Sequence, residues 1–252
     1  MENKPLVTIY TQGYNAEKYI AECIESVLAQ TYDNFEYFVV NHGSKDSTLD
    51  IINEYAKKDK RIKVYDIPNS ERGFMTDIMI RDGHGEYVMT VDSDDYLHPE
   101  CVEKLVNYGV ENNLDMVFCP TWQFRDGEDN FEERLNLECN VSFDISYSDK
   151  LFPYIYDFLR TTWGKIVRLD VIKKADFSTF KANDKEIVIS DTAYALACYE
   201  KCERIGGITD RLLYYRIVGT SVTAKFKSAS VDNNKNVLYQ SLNLLNNIGD
   251  TS

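Results

Sequence analysis

Short apolar runs alternate with amphipathic stretches along the first 120 residues of the chain. Five runs are typical of strands: Leu6–Tyr10, Phe35–Val40, Arg61–Asp66, Glu86–Val91 and Asp115–Cys119. Between the first two runs, Asn15 is a predicted N-cap for an amphipathic helix. The apolar face of that helix is formed by Ile20, Cys23, Ile24, Val27 and Leu28. Strands alternating with helices at this spacing predict an α/β fold with a mostly parallel sheet flanked by helices.

The pattern weakens after residue 120. From Trp122 to Lys150, charged residues surround short β-like pieces, which we interpret as a functional insertion or flap. Further on, the pattern predicts helices over 151–160 and 190–202, strands over 163–168 and 211–217, and a final helix beyond Ser228. We therefore divide the chain into two halves of one domain, residues 1–120 and 121–225, and a C-terminal helical extension over residues 226–252.

Charge and composition exclude several classes of protein. The 41 acidic and 28 basic residues give a net charge of −13, and no basic cluster interrupts it, which argues against nucleic-acid binding. No stretch approaches 18 apolar residues, so we expect no transmembrane segment. The N-terminal residues lead directly into a strand without signal-peptide features, and the six scattered cysteines form no metal-binding motif. We expect a cytoplasmic protein.

Three carboxylates directly follow the fourth predicted strand. Asp92 and Asp94 point the same way along an extended chain, roughly 6–7 Å apart, and Asp95 follows them. Like charges at this distance repel unless a cation lies near them. Hard oxygen ligands without His or Cys suit Mg²⁺ or Mn²⁺ with a phosphate as a further ligand. The alternative is an aspartate-rich surface turn, since Asp is common in turns.

The turns after three predicted strands are expected to share one edge of the sheet. These turns are Gln12–Asn15, Asn41–Ser44 and Asp92–Asp95. In open parallel sheets, ligands bind outside the carboxyl ends of the strands. The sequence therefore predicts a ligand site lined by these three turns.

With these residues assembled, the chain resembles a family 2 glycosyltransferase of the GT-A fold, of the kind found in bacterial surface-polysaccharide synthesis. The resemblance covers roughly residues 4–225. Its clearest blocks are Val7–Ile9, Tyr14–Ile20, Ser26–Tyr32, Gly85–Tyr87 and Asp92–Pro99. Looser blocks are Trp163–Lys165, Ser190–Thr192, Tyr215, Arg216 and Ser221. Each block alone is weak, but their order and spacing together are specific.

The resemblance implies a function and its partners. It implies a metal-dependent, inverting transfer of a sugar from a nucleoside-diphosphate sugar, with UDP as the expected nucleotide and Mn²⁺ or Mg²⁺ as the cofactor. The acceptor would be a glycan or a lipid-linked saccharide, which could bring the protein to the inner face of the membrane as a peripheral protein. Residues 1–120 would form the nucleotide-sugar-binding half, and residues 121–225 the acceptor-side half.

The resemblance also implies roles for particular residues. Asp94 resembles the direct metal ligand, and Asp92 resembles the carboxylate near the ribose or a metal-bound water. Tyr14 lies where the family packs an aromatic ring on the base. Asp191 corresponds to the catalytic base, and Arg216 to an arginine near the diphosphate. Structural alternatives remain open, because Asp191 could serve only the helix dipole and Arg216 only a salt bridge.

Gln12, Asn41 and Ser93 complete the predicted donor-binding set, and two of them depart from the family. Asn41 and His42 stand where two aspartates are usual, and Gln12 stands where a proline is usual. An amide at Asn41 can still accept a hydrogen bond from uracil, although the bond lacks charge assistance. A phosphate-binding arginine is also missing near Thr76, where Arg72 or Arg81 are the possible substitutes.

Two alternatives to an active glycosyltransferase stay open. The first is a degenerate sugar-nucleotide-binding subunit of a glycan-assembly complex, which the uncharged Asn41 favours. The second is a nucleotidyltransferase. This class needs a Gly-rich loop with a Lys or Arg after the first strand, and Thr11-Gln12-Gly13 carries no such charge.

Overall fold

The structure is a computed structural model that describes residues 4–68, 74–128, 130–177 and 191–218. The described strands are β1 (Val7–Gly13), β2 (Phe35–Asn41), β3 (Ile62–Asp66), β4 (Tyr87–Thr90), β5 (Tyr96–Leu97), β6 (Met116–Phe118), β7 (Thr121–Arg125), β8 (Phe131–Arg134), β9 (Val141–Asp144), β10 (Lys165–Arg168), β11 (Arg204–Gly207) and β12 (Leu213–Ile217). The described helices are α1 (Ile20–Leu28), α2 (Thr48–Lys58), α3 (Phe74–Asp82), α4 (Cys101–Glu111), α5 (Ser148–Leu159), α6 (Leu169–Lys174) and α7 (Asp191–Glu200).

A main sheet of eight strands has the order β3-β2-β1-β4-β10-β6-β11-β9. The strands β3, β2, β1 and β4 are parallel to one another, as the alternation of strands and helices predicts. β10 is antiparallel to both β4 and β6, and β9 is antiparallel to β11. The predicted α/β class with a mostly parallel sheet is confirmed, and strands from both halves of the chain contribute to this one sheet.

Helices cover both faces of the main sheet, which explains why its central strands are largely buried. β4 is buried along its whole length, so both of its faces lie in a core. The predicted apolar face of α1 is confirmed, since Ile20, Cys23, Ile24 and Val27 are all fully buried in the first of two core clusters. Burial of one large aliphatic side chain contributes about 1.5–3 kcal/mol, so this face fixes α1 on the sheet.

The first helix begins later than the sequence predicts. Asn15 has a φ of 50° and lies five residues before α1, so it does not cap the helix. Its side-chain oxygen accepts a hydrogen bond from the backbone N–H of Lys45 (2.8 Å), and its own N–H donates to Ser44 Oγ (3.0 Å). Asn is among the few residues that adopt this left-handed conformation readily. Asn15 therefore joins the turn after β1 to the turn after β2.

The stretch from 122 to 150 is not a separate flap. β7 and β8 form a second sheet with β5 and β12, in the order β5-β12-β7-β8, and β9 completes an edge of the main sheet. The sequence pattern of these strands is weak because β8 is largely exposed and only Thr121 and Phe124 of β7 are buried.

Two predictions about the later chain lie outside the described residues. These are Ser190, the first residue of the helix predicted over 190–202, and the helical extension over residues 226–252. In the part of the chain that the structure describes, no helix combines the length and the apolar character needed to cross a membrane.

Candidate active site

The aspartate loop, which we define as residues 92–95, connects β4 to β5 at the carboxyl edge of the main sheet. One carboxylate oxygen from each of Asp92, Asp94 and Asp95 lies within 4.8 Å of the other two. Asp92 and Asp94 are half-buried, whereas Asp95 is buried. The backbone N–H of Asp95 donates to the carbonyl of Asp92 (3.1 Å), which closes the turn. The predicted cluster is therefore present, and Asp95 belongs to it.

The pKa values of all three carboxyl groups in the aspartate loop are raised. Burial, followed by the charges of Asp191 and Asp94, raises the pKa of Asp92 to about 8. Burial also raises the pKa of Asp94, against the opposing effect of the Arg216 charge. The pKa of Asp95 is raised well above its usual value by burial and by the charges of Asp92 and Asp94. A positive charge placed among these oxygens would favour their ionised forms.

The loop fits a divalent cation. Among the described residues, Asp95 Oδ2 is a buried oxygen without a hydrogen-bond partner. Buried polar atoms are normally paired, so this unpaired oxygen is consistent with a ligand of the loop. The donors are all carboxylate oxygens, which suit Mg²⁺ or Mn²⁺ rather than a metal that prefers sulfur or imidazole.

Arg216 on β12 holds the aspartate loop in place. Its backbone N–H donates to Asp95 Oδ1 (2.8 Å), and its Nε donates to the carbonyl of Asp94 (2.8 Å). Its Nη1 donates to Asp126 (3.2 Å) and its Nη2 donates to Glu22. The side chain is only 8% exposed. The guanidinium is thus shared among the loop and two carboxylates, and its predicted contact with a diphosphate stays a prediction.

The turns after β1 and β2 meet as predicted. Gln12 Nε2 lies 3.0 Å from His42 Nδ1, and the backbone N–H of His42 donates to the carbonyl of Gly13 (2.9 Å). The side chains of Gln12 and Tyr14 are exposed, so both are accessible to a ligand. Ser93 is half-buried in the aspartate loop, one strand away from the turn after β1.

Asn41 is buried at the end of β2, and its predicted contact with the base stays a prediction. Its side chain is 2% exposed, and its amide groups are engaged within the protein. Its Nδ2 donates to Asp66 Oδ1 (2.6 Å), and its Oδ1 accepts from the backbone N–H of Ser44 (3.3 Å).

Asp191, the first residue of α7, brings a fourth acidic group toward Asp92. The residue retains solvent exposure, and desolvation by the surrounding protein raises the pKa of its carboxyl group. The charge of Lys165 opposes that shift. Lys165 is buried and donates to the carbonyls of Phe158 and Thr161, and burial lowers its own pKa to about 7. The neighbouring Thr192 donates to the carbonyl of Arg160 (3.0 Å), which fixes the start of α7 against the end of α5.

Sequence reasoning missed several acidic residues near the site. Asp66 ends β3 at the same edge of the sheet as Asn41, and the strand-end argument that identified Asn41 applies to it equally. Glu22 and Asp126 have no comparable signal, because only the folded chain brings α1 and the turn after β7 to Arg216. Of the possible phosphate-binding arginines, Arg81 pairs with Asp82 (2.8 Å), and Arg72 lies outside the described residues.

The sheet order, the flanking helices and the aspartate loop at the carboxyl edge define a GT-A fold. Residues 8–176 match the model of the family described as "Glycosyl transferase family 2". The chain belongs to this family. The predicted resemblance to bacterial polysaccharide glycosyltransferases of family 2 is therefore confirmed, as is the fold.

Two proteins of Bacillus subtilis (strain 168) illustrate the relationship. The uncharacterized glycosyltransferase EpsJ is 27% identical over 239 residues, which cover 94% of this chain and 68% of EpsJ. The putative glycosyltransferase EpsH is 28% identical over 225 residues, which cover 88% of this chain and 64% of EpsH.

Two solved structures share the fold. Residues 1–349 of S. aureus TarS, in complex with UDP-GlcNAc, match with a TM-score of 0.68 and 21% identity over 88% of this chain. The mannosyltransferase PcManGT from Pyrobaculum calidifontis, in complex with GDP-Man and Mn²⁺, matches with a TM-score of 0.59 and 15% identity over 88% of this chain. The matches cover 61% and 60% of those two chains, so this chain spans less than two thirds of each.

Proposed function

We propose that the protein is a metal-dependent, inverting glycosyltransferase that takes its sugar from a UDP-sugar. The aspartate loop carries this proposal, because it brings three carboxylate oxygens within 4.8 Å of one another and holds a buried, unpaired oxygen at Asp95, a donor set that suits a divalent cation. Two proteins of the same fold support the ligand class, since TarS was solved with UDP-GlcNAc and PcManGT with GDP-Man and Mn²⁺.

The donor would lie across the carboxyl ends of β1, β2 and β4. Asp94 and Asp92 would hold Mn²⁺ or Mg²⁺, and Ser93 lies between them. When bound, the cation offsets the negative charge that develops on the leaving nucleoside diphosphate. The exposed ring of Tyr14 would stack on the base, with Gln12 and the turn after β2 beside it. Arg216 would act on this site through the loop backbone that it holds.

Asp191 would act as the general base. The acceptor hydroxyl oxygen attacks the anomeric carbon while its proton passes to the Asp191 carboxylate, and the bond from that carbon to the diphosphate oxygen breaks on the opposite face. This direct displacement inverts the anomeric centre. A raised pKa suits the role, because a base whose pKa lies closer to the working pH accepts a proton more readily. The charge of Lys165 acts against this rise in the pKa of Asp191.

The acceptor would be a glycan or a lipid-linked saccharide, handled by the half of the domain at residues 121–225. We place the reaction in the cytoplasm, at the inner face of the membrane where the acceptor is lipid-linked. All six cysteines are free thiols, which is typical of a reducing compartment.

Thermal unfolding in the presence of nucleotides tests this function. A nucleotide at about 100 times its Kd stabilises the folded state by about 2.7 kcal/mol. For a chain of this length, each kcal/mol raises Tm by roughly 2–4 °C. We expect UDP with Mn²⁺ to give the largest shift, and Asp94→Ala to abolish it.

Asp170→Ala is the matched control, because it removes an exposed carboxylate of α6 that pairs with Lys174. This variant should keep the full shift. If no nucleoside diphosphate raises the Tm of the wild-type protein with Mn²⁺ present, the chain is not a nucleotide-sugar enzyme, and the degenerate-subunit alternative gains support.

A further inference from the structure

Asn41 and Asp66 form a side-chain pair at the carboxyl edge of the main sheet. The two residues are directly opposite in the register of β2 and β3, and both end their strands. Asn41 Nδ2 donates to Asp66 Oδ1 at 2.6 Å. The backbone N–H of Ile67 donates to the carbonyl of Asn41 (3.0 Å), so the pairing continues one residue past the end of β3. Backbone hydrogen bonds between the two strands therefore fix the main chain at both residues of this pair.

The two members of the pair differ in access to solvent. Asn41 is 2% exposed, whereas Asp66 is exposed. A ligand entering over the strand ends would therefore reach the Asp66 carboxylate before it could reach the Asn41 amide.

The orientation of the Asn41 amide is also fixed. Its nitrogen faces a carboxylate, and its oxygen faces the backbone N–H of Ser44. Rotating the amide by 180° would place an oxygen against the carboxylate and an NH₂ group against an N–H donor. Because Asn41 is buried, water could not compensate for these mismatches. Asn41 is thus a fixed donor that positions one oxygen of Asp66.

We propose that Asp66, held by Asn41, supplies the carboxylate that recognises the nucleotide base in this protein. The negative charge that Asn41 lacks at the end of β2 is then provided one strand away, at the end of β3. Asn41 becomes a positioning residue and Asp66 the residue that contacts the base. This inference rests on the proposed function, since it requires a nucleotide to bind at this edge of the sheet.

The chemistry of a carboxylate predicts which base is preferred. An ionised carboxylate only accepts hydrogen bonds. The pairing edge of uracil presents an N3–H donor, whereas cytosine presents a lone pair at N3. Asp66 therefore favours uridine over cytidine nucleotides. The bond to uracil is charge-assisted, and such bonds are roughly twice as strong as neutral ones.

Calorimetric titration with UDP, CDP and inorganic pyrophosphate, each with Mn²⁺, tests this role. Asp66→Asn keeps the size of the side chain and an oxygen that can accept from Asn41, but it removes the charge and adds an NH₂ donor. We expect the affinity for UDP to fall about tenfold, the affinity for CDP to hold or rise, and the affinity for pyrophosphate to stay unchanged. Pyrophosphate carries no base, so it reports on the cation and phosphate part of the site alone.

Asp33→Asn is the matched control. It makes the same change in charge at an exposed residue just before β2, at the opposite end of that strand from Asn41. We expect it to leave all three affinities at wild-type values. Asn41→Ala should reproduce part of the Asp66→Asn effect, because it releases the carboxylate from its fixed position.

The possible failures can be distinguished. An unchanged ratio of UDP to CDP affinity in Asp66→Asn would overturn this inference while leaving the proposed function in place. An equal loss of UDP and pyrophosphate binding would also overturn it, since the residue would then be only structural. A wild-type protein that binds neither UDP nor pyrophosphate with Mn²⁺ would overturn the proposed function itself.

Discussion

A substitution at Asp191 distinguishes a role in sugar transfer from a role in donor binding. A general base acts only as the acceptor hydroxyl loses its proton, so its removal should leave the donor complex unchanged. For Asp191→Asn, we expect an unaltered melt, a full UDP–Mn²⁺ shift, and a kcat for sugar transfer lower by at least about a hundredfold. Initial-rate measurements with saturating donor check this prediction.

Two results would contradict the assignment of Asp191. Transfer at the wild-type rate would mean that the base lies elsewhere, with Asp95 as the next candidate. Loss of donor binding or of folding would instead show that the role of Asp191 is structural, as the first residue of α7.

Asp92 makes the stability of the cation-free protein depend on pH. The pKa of its carboxyl group is about 8 in the folded protein and ordinarily 3.8. Between these two pH values the folded protein holds a proton on Asp92 that the unfolded chain has released. This contribution to stability is complete below about pH 4 and is lost as the pH rises toward 8.

We expect the free energy of unfolding measured in EDTA to fall from pH 5 to pH 8 by roughly 1–2 kcal/mol more in the wild type than in Asp92→Asn. This expected difference in free energy is smaller than the full pKa shift would give, because the half-buried side chain of Asp92 is partly solvated. Added Mn²⁺ should stabilise the wild type more at pH 8 than at pH 5. Identical pH profiles for the two proteins would mean that Asp92 is ionised without a cation.

At the scale of elements, Arg216 connects β12 to the aspartate loop, to α1 and to the turn after β7. In Arg216→Met, two partly exposed carboxylates lose their buried cationic partner. The carbonyl of Asp94 also loses its hydrogen-bond donor. We expect the free energy of unfolding to fall by about 2 kcal/mol, below the value for a fully buried pair because both partners are partly solvated. The variant should also bind UDP–Mn²⁺ more weakly.

Arg168→Met provides the comparison. Arg168 on β10 pairs with Glu86 (2.7 Å) and lies 3.7 Å from Asp115, and neither partner belongs to the aspartate loop. Chemical denaturation should show a loss of stability, whereas the nucleotide shift should stay at the wild-type size. If both variants bind UDP–Mn²⁺ like the wild type, Arg216 does not organise the site.

Prediction of elements from the sequence succeeded where one periodicity dominates. β1, β2, β4 and the apolar face of α1 follow from local runs of side chains, because most of these residues are buried in the core. The antiparallel insertion of β10 between β4 and β6 could not be predicted in this way. Strand order depends on which distant strands pair, and the residues of one strand do not encode that choice.

At the scale of the whole molecule, the cysteines report on global unfolding. All six are free, and of these only Cys139 is exposed. Burial raises the pKa of Cys23 and of Cys198 to about 12, which suppresses their reactive thiolate forms. We expect a thiol reagent to titrate one group rapidly in the native protein and six in denaturant, with Cys139→Ser removing the rapid phase.

The buried thiols should react in a slow phase. The rate of this phase should rise with denaturant in parallel with the rate of global unfolding. Two or more rapid groups in the native protein would mean that a buried thiol is exposed by local opening rather than by global unfolding.

The sequence by itself determined the alternation of strands and helices, the family and the aspartate loop. It could do so because burial periodicity, turn residues and the spacing of Asp92, Asp94 and Asp95 are all local properties of the chain. It also placed Gln12, Asn41 and the aspartate loop at one edge, since the carboxyl ends of parallel strands always meet there.

Only the tertiary structure decided which of these polar residues touch one another. Asn41 appeared as a base contact in the sequence, but in the fold it is buried and its amide is held between Asp66 and Ser44. Arg216 lies 122 residues from the Asp94 carbonyl that it holds, and its carboxylate partners come from two other elements. Side-chain pairs of this kind depend on distances between elements, and those distances are fixed only when the sheet is assembled.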